Sequence, residues 1–148
     1  MRLFVISVTF LLLTTINLSA QDIEGVAIGT TMTKNEVIAK FGEPDQHSYS
    51  DADDLGIDER YHYEENLLIF NNSEFIGFVV SDNRWRVLTN VVNGGVRVGD
   101  QFSKIEFLKP EVATWIDNET YYVPRGDYYL FFKISSGIIR EIDFEITK

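Results

Sequence analysis

Residues 25–38 read Gly-Val-Ala-Ile-Gly-Thr-Thr-Met-Thr-Lys-Asn-Glu-Val-Ile, and residues 95–108 read Gly-Val-Arg-Val-Gly-Asp-Gln-Phe-Ser-Lys-Ile-Glu-Phe-Leu, in register without a gap. Gly25, Val26, Gly29, Lys34 and Glu36 recur as Gly95, Val96, Gly99, Lys104 and Glu106. Ile28, Met32, Val37 and Ile38 stay apolar as Val98, Phe102, Phe107 and Leu108. A duplication at a spacing of 95 − 25 = 70 residues predicts two copies of one small unit, each too thin to bury an apolar face alone.

Outward from the repeat, each copy opens with a helix start. Thr33 and Glu36 form a capping box, Val37, Ile38 and Phe41 supply an apolar stripe, and Gly42 with Pro44 gives a left-handed exit and a block. Copy two repeats the box as Ser103 and Glu106; Pro110 interrupts it, and residues 111–116 are read as a resumed helical turn. The pattern then turns extended. Segments 59–63, 66–70, 74–81 and 84–92 are expected strands of copy one, and 120–123, 127–134 and 138–146 those of copy two, with short turns between them implying antiparallel meanders. In the last strand, Ile138, Arg140, Ile142, Phe144 and Ile146 are expected on one face, with Ile139, Glu141, Asp143 and Glu145 on the other. The fold class expected is α+β: two tandem helix-plus-antiparallel-meander repeats sharing one sheet, with helices on one face. Residues 1–20 are assigned to a signal peptide, 21–93 to repeat one and 94–148 to repeat two.

The leader is read from Met1-Arg2, the apolar run from Leu3 to Leu13 and the small residues before Gln21, with cleavage expected after Ala20. The run is too short to cross a bilayer. Removing Arg2 leaves 12 basic and 23 acidic residues, a formal charge of 12 − 23 = −11. That field repels nucleic acid and anionic membrane surfaces and attracts a basic protein, although solubility alone also explains it. The chain has no cysteine, so an apolar core must stabilise it. Thiol chemistry and a lipid anchor next to the cleavage site are excluded. A periplasmic or secreted bacterial protein is expected.

Ile28-Gly29, Thr33, Glu36-Val37, Phe41-Gly42 and Pro44 resemble the opening of the SmpA/OmlA (BamE-like) outer-membrane lipoprotein domain. The tandem arrangement resembles the β-lactamase-inhibitory-protein fold, in which two such helix-plus-meander units follow one another. The resemblance implies non-catalytic protein binding, either envelope assembly or inhibition of a secreted enzyme across a concave sheet face. The chain departs from it in lacking the anchoring cysteine and disulfides, and copy two lacks the Gly-x-Pro exit. No inhibitory loop carries over.

Catalytic and metal chemistry find little footing. His47 and His62 have no metal-ligand spacing, and no nucleophile elbow, P-loop or dinucleotide fingerprint occurs. The acidic loop 51–59 places Asp51, Asp53 and Gly56 at calcium-loop positions, but Leu55 and His62 stand where ligands are needed, so a solvated acidic loop is the better reading. No enzyme activity, cofactor or metal is expected. The aromatics remain. Tyr129 and Phe131 near Glu141 and Asp143, with Trp85 and Tyr122, are the candidate partner-binding residues, since Tyr and Trp on a rigid sheet anchor partners at small entropic cost. Core filling is the competing reading. The expected function is docking of a protein partner through the sheet face; the alternative is a small-ligand or glycan-binding envelope protein.

Overall fold

In the computed structural model of the chain, residues 21–51, 57–108, 114–115, 119–125 and 128–146 are described. The expected signal segment, residues 52–56 of the acidic loop and residues 109–113 lie outside them. The order is β1 (Asp22–Ile23), β2 (Val26–Ala27), α1 (Lys34–Phe41), β3 (Gln46–Asp51), β4 (Ile57–Tyr63), β5 (Asn66–Asn71), β6 (Glu74–Val80), two 3-10 turns (Phe102–Lys104 and Glu106–Leu108), β7 (Thr114–Trp115), β8 (Thr120–Arg125), β9 (Tyr128–Ser135) and β10 (Ile138–Ile146). β1 and β2 form a small hairpin. The other strands make one antiparallel eight-stranded sheet in the order β3-β4-β5-β6-β10-β9-β8-β7.

The α1 capping box is complete. The Thr33 hydroxyl accepts from the Glu36 amide, and the Glu36 carboxylate accepts from the Thr33 amide at 2.7 Å. Hydrogen bonds donated to that carboxylate by the Thr33 amide and hydroxyl hold the Glu36 carboxyl below its ordinary range. Gly42 leaves the helix at φ 92°, and its N–H donates to the Ile38 carbonyl.

The sequence repeat reappears as a repeat of backbone hydrogen bonds. Gly29 N–H donates to the Phe75 carbonyl at 2.8 Å and Gly99 N–H to that of Ile139 at 2.8 Å. Phe75 donates back to Thr30 and Ile139 to Asp100; Met32 donates to Ser73 and Phe102 to Gly137. Both glycines take positive φ, 87° and 96°. Each copy thus clips its opening segment onto the start of its last strand.

Those last strands, β6 and β10, pair with each other. Val79 lies opposite Asp143, flanked by Val80 opposite Ile142 and Phe78 opposite Phe144. On β5 and β6, Leu67 faces Val79 and Ile69 faces Gly77; on β9 and β10, Phe131 faces Asp143 and Lys133 faces Glu141. Val79 and Asp143 are therefore equivalent residues that meet each other, and a pseudo-two-fold axis runs through them normal to the sheet.

The expected α+β class is corrected. Among the described residues the protein is mostly β with one α-helix, because copy two has two 3-10 turns where copy one has α1. Ser103 lies inside the first of these turns, whose N-cap Gln101 makes no side-chain cap bond, and in the sequence Pro110 has no N–H for the Glu106 carbonyl, so an α-helix begun there could not run on. Thr114–Trp115, expected as helical, is edge strand β7. Segment 84–92, expected as a strand, is an irregular connection with Leu88 at φ 55°. It is held by bridges from Val87 to Ile23 and Val96. The buried Asp22 carboxylate pins it, accepting from Gly25 N–H, Asn90 N–H and the Thr89 hydroxyl. Parity along β10 is also corrected. A bulge at Arg140 turns Ile139 onto the same face as Ile142 and Phe144, and all three are buried. β6 has its bulge at the equivalent place, Ile76.

One sheet face carries the core: Tyr61, Tyr63, Leu68, Phe70, Phe75, Phe78, Val80, Tyr121, Val123, Leu130, Phe132, Ile142 and Phe144, with Val37 and Phe41 from α1 and Trp85 from the connection. Thr33→Ala should destabilise the chain by about 1 kcal/mol in urea unfolding, the usual cost of a lost N-cap. Gly77→Ala tests the seam. A Cβ there would stand 2.9 Å from the Phe144 carbonyl oxygen, so a loss of about 1–3 kcal/mol is expected by the same measurement.

Candidate functional site

Strand pairing sets the second face of the sheet residue by residue. One row across the strands runs His62, Leu67, Val79, Asp143, Phe131 and Tyr122. Beside it Arg60 lies next to Ile69, and on the other side Glu141 next to Lys133 and Thr120. The core face of these strands is buried; this face is half-buried, with Lys133 exposed. Such alternation marks a sheet packed on one side only.

The sequence candidates divide. Tyr122, Tyr129 and Phe131 form one aromatic cluster, with ring centroids 5.4 Å (Tyr122–Tyr129), 6.3 Å (Tyr122–Phe131) and 6.0 Å (Tyr129–Phe131) apart. Glu141 and Asp143 stand beside it. Asp143 is opposite Phe131, while Glu141 is opposite Lys133 and Tyr129 opposite Glu145. Trp85 is elsewhere: it is 5% exposed, on the core side, edge-on to Phe41 at 5.4 Å and to Tyr63 at 5.0 Å. As a partner-binding residue it is corrected to a core residue.

Thr120, Phe131, Lys133, Glu141 and Asp143 line an open depression of about 230 Å³. Lys133 forms an ion pair with Glu141 Oε1, and the Ser81 hydroxyl donates to Oε2 at 3.1 Å. The hydrogen bond and charge of Glu141, with a further pull from Asp143, hold the Lys133 ammonium above its ordinary range. The depression thus carries two carboxylates around one ammonium.

The pseudo-two-fold gives this depression an internal control. Where copy two has Thr120, Phe131, Lys133, Glu141 and Asp143, copy one has Arg60, Leu67, Ile69, Gly77 and Val79 in the same register. One half of the face is basic and aliphatic, the other aromatic and acidic. Arg60, His62, Leu67, Ile69, Val79 and Lys133 did not emerge from the sequence as face residues. The signal was the apolar run Leu67–Phe70, which alternates half-buried and buried side chains and hides one face inside a continuous hydrophobic stretch.

A second polar cluster lies on the core side at the β3 edge. His47 Nε2 is 2.6 Å from Glu59 Oε1, the Tyr61 hydroxyl donates to the same oxygen at 2.7 Å, and Lys34 Nζ is 3.3 Å from His47 Nδ1. The His47 ring stacks on Tyr61 at 4.5 Å. With Lys34 donating to Nδ1, the ring N–H at Nε2 donates to Glu59, so a closed chain of bonds ties α1, β3 and β4 together. Burial, with the Glu59 hydrogen bond and charge, pushes the Tyr61 phenol far above its ordinary range. The neighbouring Tyr63 phenol is pushed up to about 12 by burial, and its hydroxyl donates to the Gly42 carbonyl. Among the described residues no group of three or more His, Asp or Glu is placed to hold a metal ion, and no helix is long and apolar enough to cross a membrane.

Compared with protein-family models, curated proteins and solved structures, the chain matches none.

The two faces respond differently to truncation. Trp85→Ala should cost about 3–5 kcal/mol in urea unfolding, as for a buried aromatic, whereas Tyr122→Ala and Tyr129→Ala should each cost about 1 kcal/mol.

Proposed function

We propose that this chain is an exported, non-catalytic protein-binding module of the bacterial envelope, which docks a protein partner through the second face of its sheet. The observation that supports the reading is two pairs of half-buried apolar side chains in one row across the sheet, Leu67 with Val79 and Phe131 with Tyr122, separated by Asp143 on β10. Ile69 and Tyr129 flank it, and charged groups border it. Half-buried apolar side chains on a rigid sheet, interspersed with polar groups, are what a docking site requires. Tyr122, Tyr129 and Phe131 on its copy-two half supply anchors that lose little entropy on binding. A formal charge of −10 for the whole chain favours a partner whose matching surface is basic. Inhibition of a secreted enzyme or assembly of an envelope complex, the roles the SmpA/OmlA-like motif implies, are both forms of this function.

Small-ligand or glycan binding is the weaker reading. The depression of about 230 Å³ is open and falls below the roughly 300–1,000 Å³ of pockets that engulf small ligands.

Tagged chain should capture its partner from envelope extract, and the double substitution Tyr129→Ala with Phe131→Ala should abolish capture while the fold persists by circular dichroism. Unaltered capture would remove this face from the function. A thermal-shift series against glycans should show no stabilisation; a ligand-dependent rise in Tm without protein capture would favour the alternative. Export is checked by the mass of the mature chain, which should begin at Gln21.

A further inference from the structure

We propose that Arg60, on the copy-one half of the second face, is the anchor for one acidic side chain, Asp or Glu, of the partner protein. The inference rests on the docking role of this sheet face and adds the chemistry of one contact within it.

Among the described residues Arg60 has no counter-charge. Its Nε is buried and meets no hydrogen-bond acceptor, and it enters none of the ion pairs those residues form. Strand pairing sets Ser48 and Ile69 directly beside it, with Gln46, Ser50, Leu67 and Asn71 at the diagonal positions, and all six are neutral. Along β4 its neighbours on this face are Asp58 and His62. Asp58 accepts from Asn71 Nδ2 at 3.1 Å, and the His62 ring meets the Ser48 hydroxyl at 3.3 Å. On the other half of the face, by contrast, Lys133 has Glu141 as its partner. The chain holds 23 acidic and 13 basic residues, so the unpaired state of Arg60 does not follow from composition.

The fold does not require it either. Copy two carries Thr120 at the same register on the same paired strands, so a cation there is no condition of the sheet. Arg60 is half-buried beside the half-buried Ile69 and Leu67, and a charge in such surroundings costs free energy until a counter-charge meets it. A carboxylate supplies that charge. With Nε closed off, it would bond the two Nη groups end-on as a fork, and the apolar neighbours would keep water from the pair once a partner covers them. The source is a protein side chain rather than a polyanion. A formal charge of −10 on the chain repels nucleic acid and anionic lipid surfaces, whereas a single carboxylate within a basic partner surface is drawn in with it.

The test is an NMR titration of the ¹⁵N-labelled chain, at constant ionic strength, with Nα-acetyl-glutamate α-amide, its neutral glutamine counterpart and inorganic phosphate. The glutamate probe should shift the Arg60 Nε–H resonance and the amides of Ser48, Arg60 and Ile69 in a concentration-dependent way, phosphate should shift them less, and glutamine should leave them unmoved. Arg60→Thr, which installs the copy-two residue, should abolish the amide response without lowering Tm by more than a few degrees, and Arg60→Lys should keep a weaker response. Equal shifts with glutamine, a response that survives Arg60→Thr, or a stronger response to phosphate than to glutamate would each overturn the anchor. A large fall in Tm on Arg60→Thr would overturn it too, by making Arg60 a structural residue. Failure here is separable from failure of the docking face. Partner capture that is lost with Tyr129→Ala and Phe131→Ala but unchanged with Arg60→Thr would leave the face standing and the carboxylate site rejected.

Discussion

The pairing of β6 with β10 is the constraint on which the rest depends. Each half alone is a four-stranded meander whose exposed edge would offer unpaired amides and carbonyls to any passing strand. At this size it buries too little apolar surface to be stable unaided. Joining β6 to β10 removes both problems at once. It satisfies two edges, and it sets Phe78 beside Phe144, with rings 5.7 Å apart, so that the two halves share one core. The seam is tight because Gly77 leaves no side chain against the Phe144 carbonyl.

The seam also fixes geometry far from itself. With Val79 and Asp143 on the pseudo-two-fold, every strand of one half has a counterpart at the same distance on the other side. The hydrogen bonds from Gly29 and Gly99 then place the two opening segments alike against the core face. Only the cover differs. Copy one uses α1, anchored by Val37 and Phe41; copy two uses 3-10 turns with Ile105 and Leu108 buried beneath them. Because both covers lie on the core side, the second face keeps its half-buried character across both halves.

The sequence disclosed what depends on local chemistry. The Thr33 box with its Gly42 exit is visible because caps are contacts three residues apart, and β4, β5, β6, β8, β9 and β10 because their apolar alternation is broken by turn residues. What it hid depends on contacts across the chain. Segment 84–92 is rich in apolar residues and reads as a strand, yet its Trp85, Val87, Leu88 and Val92 fill core space as a loop held by Asp22. β3 has the opposite disguise. Gln46–Asp51 is polar because it is an edge strand, and nothing in its own pattern predicts pairing. The Arg140 bulge shifts parity without a local sequence signal, so Ile139 was assigned to the wrong face. Of the candidate site, Tyr122, Tyr129, Phe131, Glu141 and Asp143 were accessible by counting along strands. Trp85 reads as a strand aromatic because segment 84–92 is apolar enough to look extended, yet it lies in the irregular connection and is buried.

Duplicated backbones separate what folding demands from what is free to vary. Positions alike in both copies, such as the two glycines with positive φ, the paired bulges and the buried Leu68 and Phe132, serve the shared scaffold. Positions that differ on the same backbone answer to something other than the fold. On the second face nearly every equivalent pair differs in kind: Leu67 against Phe131, Ile69 against Lys133, Gly77 against Glu141 and Val79 against Asp143. A sheet needing only solubility there could carry any polar residue in either half. Instead one half keeps an aliphatic surface next to Arg60 and His62 while the other gathers aromatics around carboxylates. Were a protein to dock as proposed, that polarity across a continuous sheet would favour one orientation, since the half-turn that exchanges the two copies does not superimpose their charges.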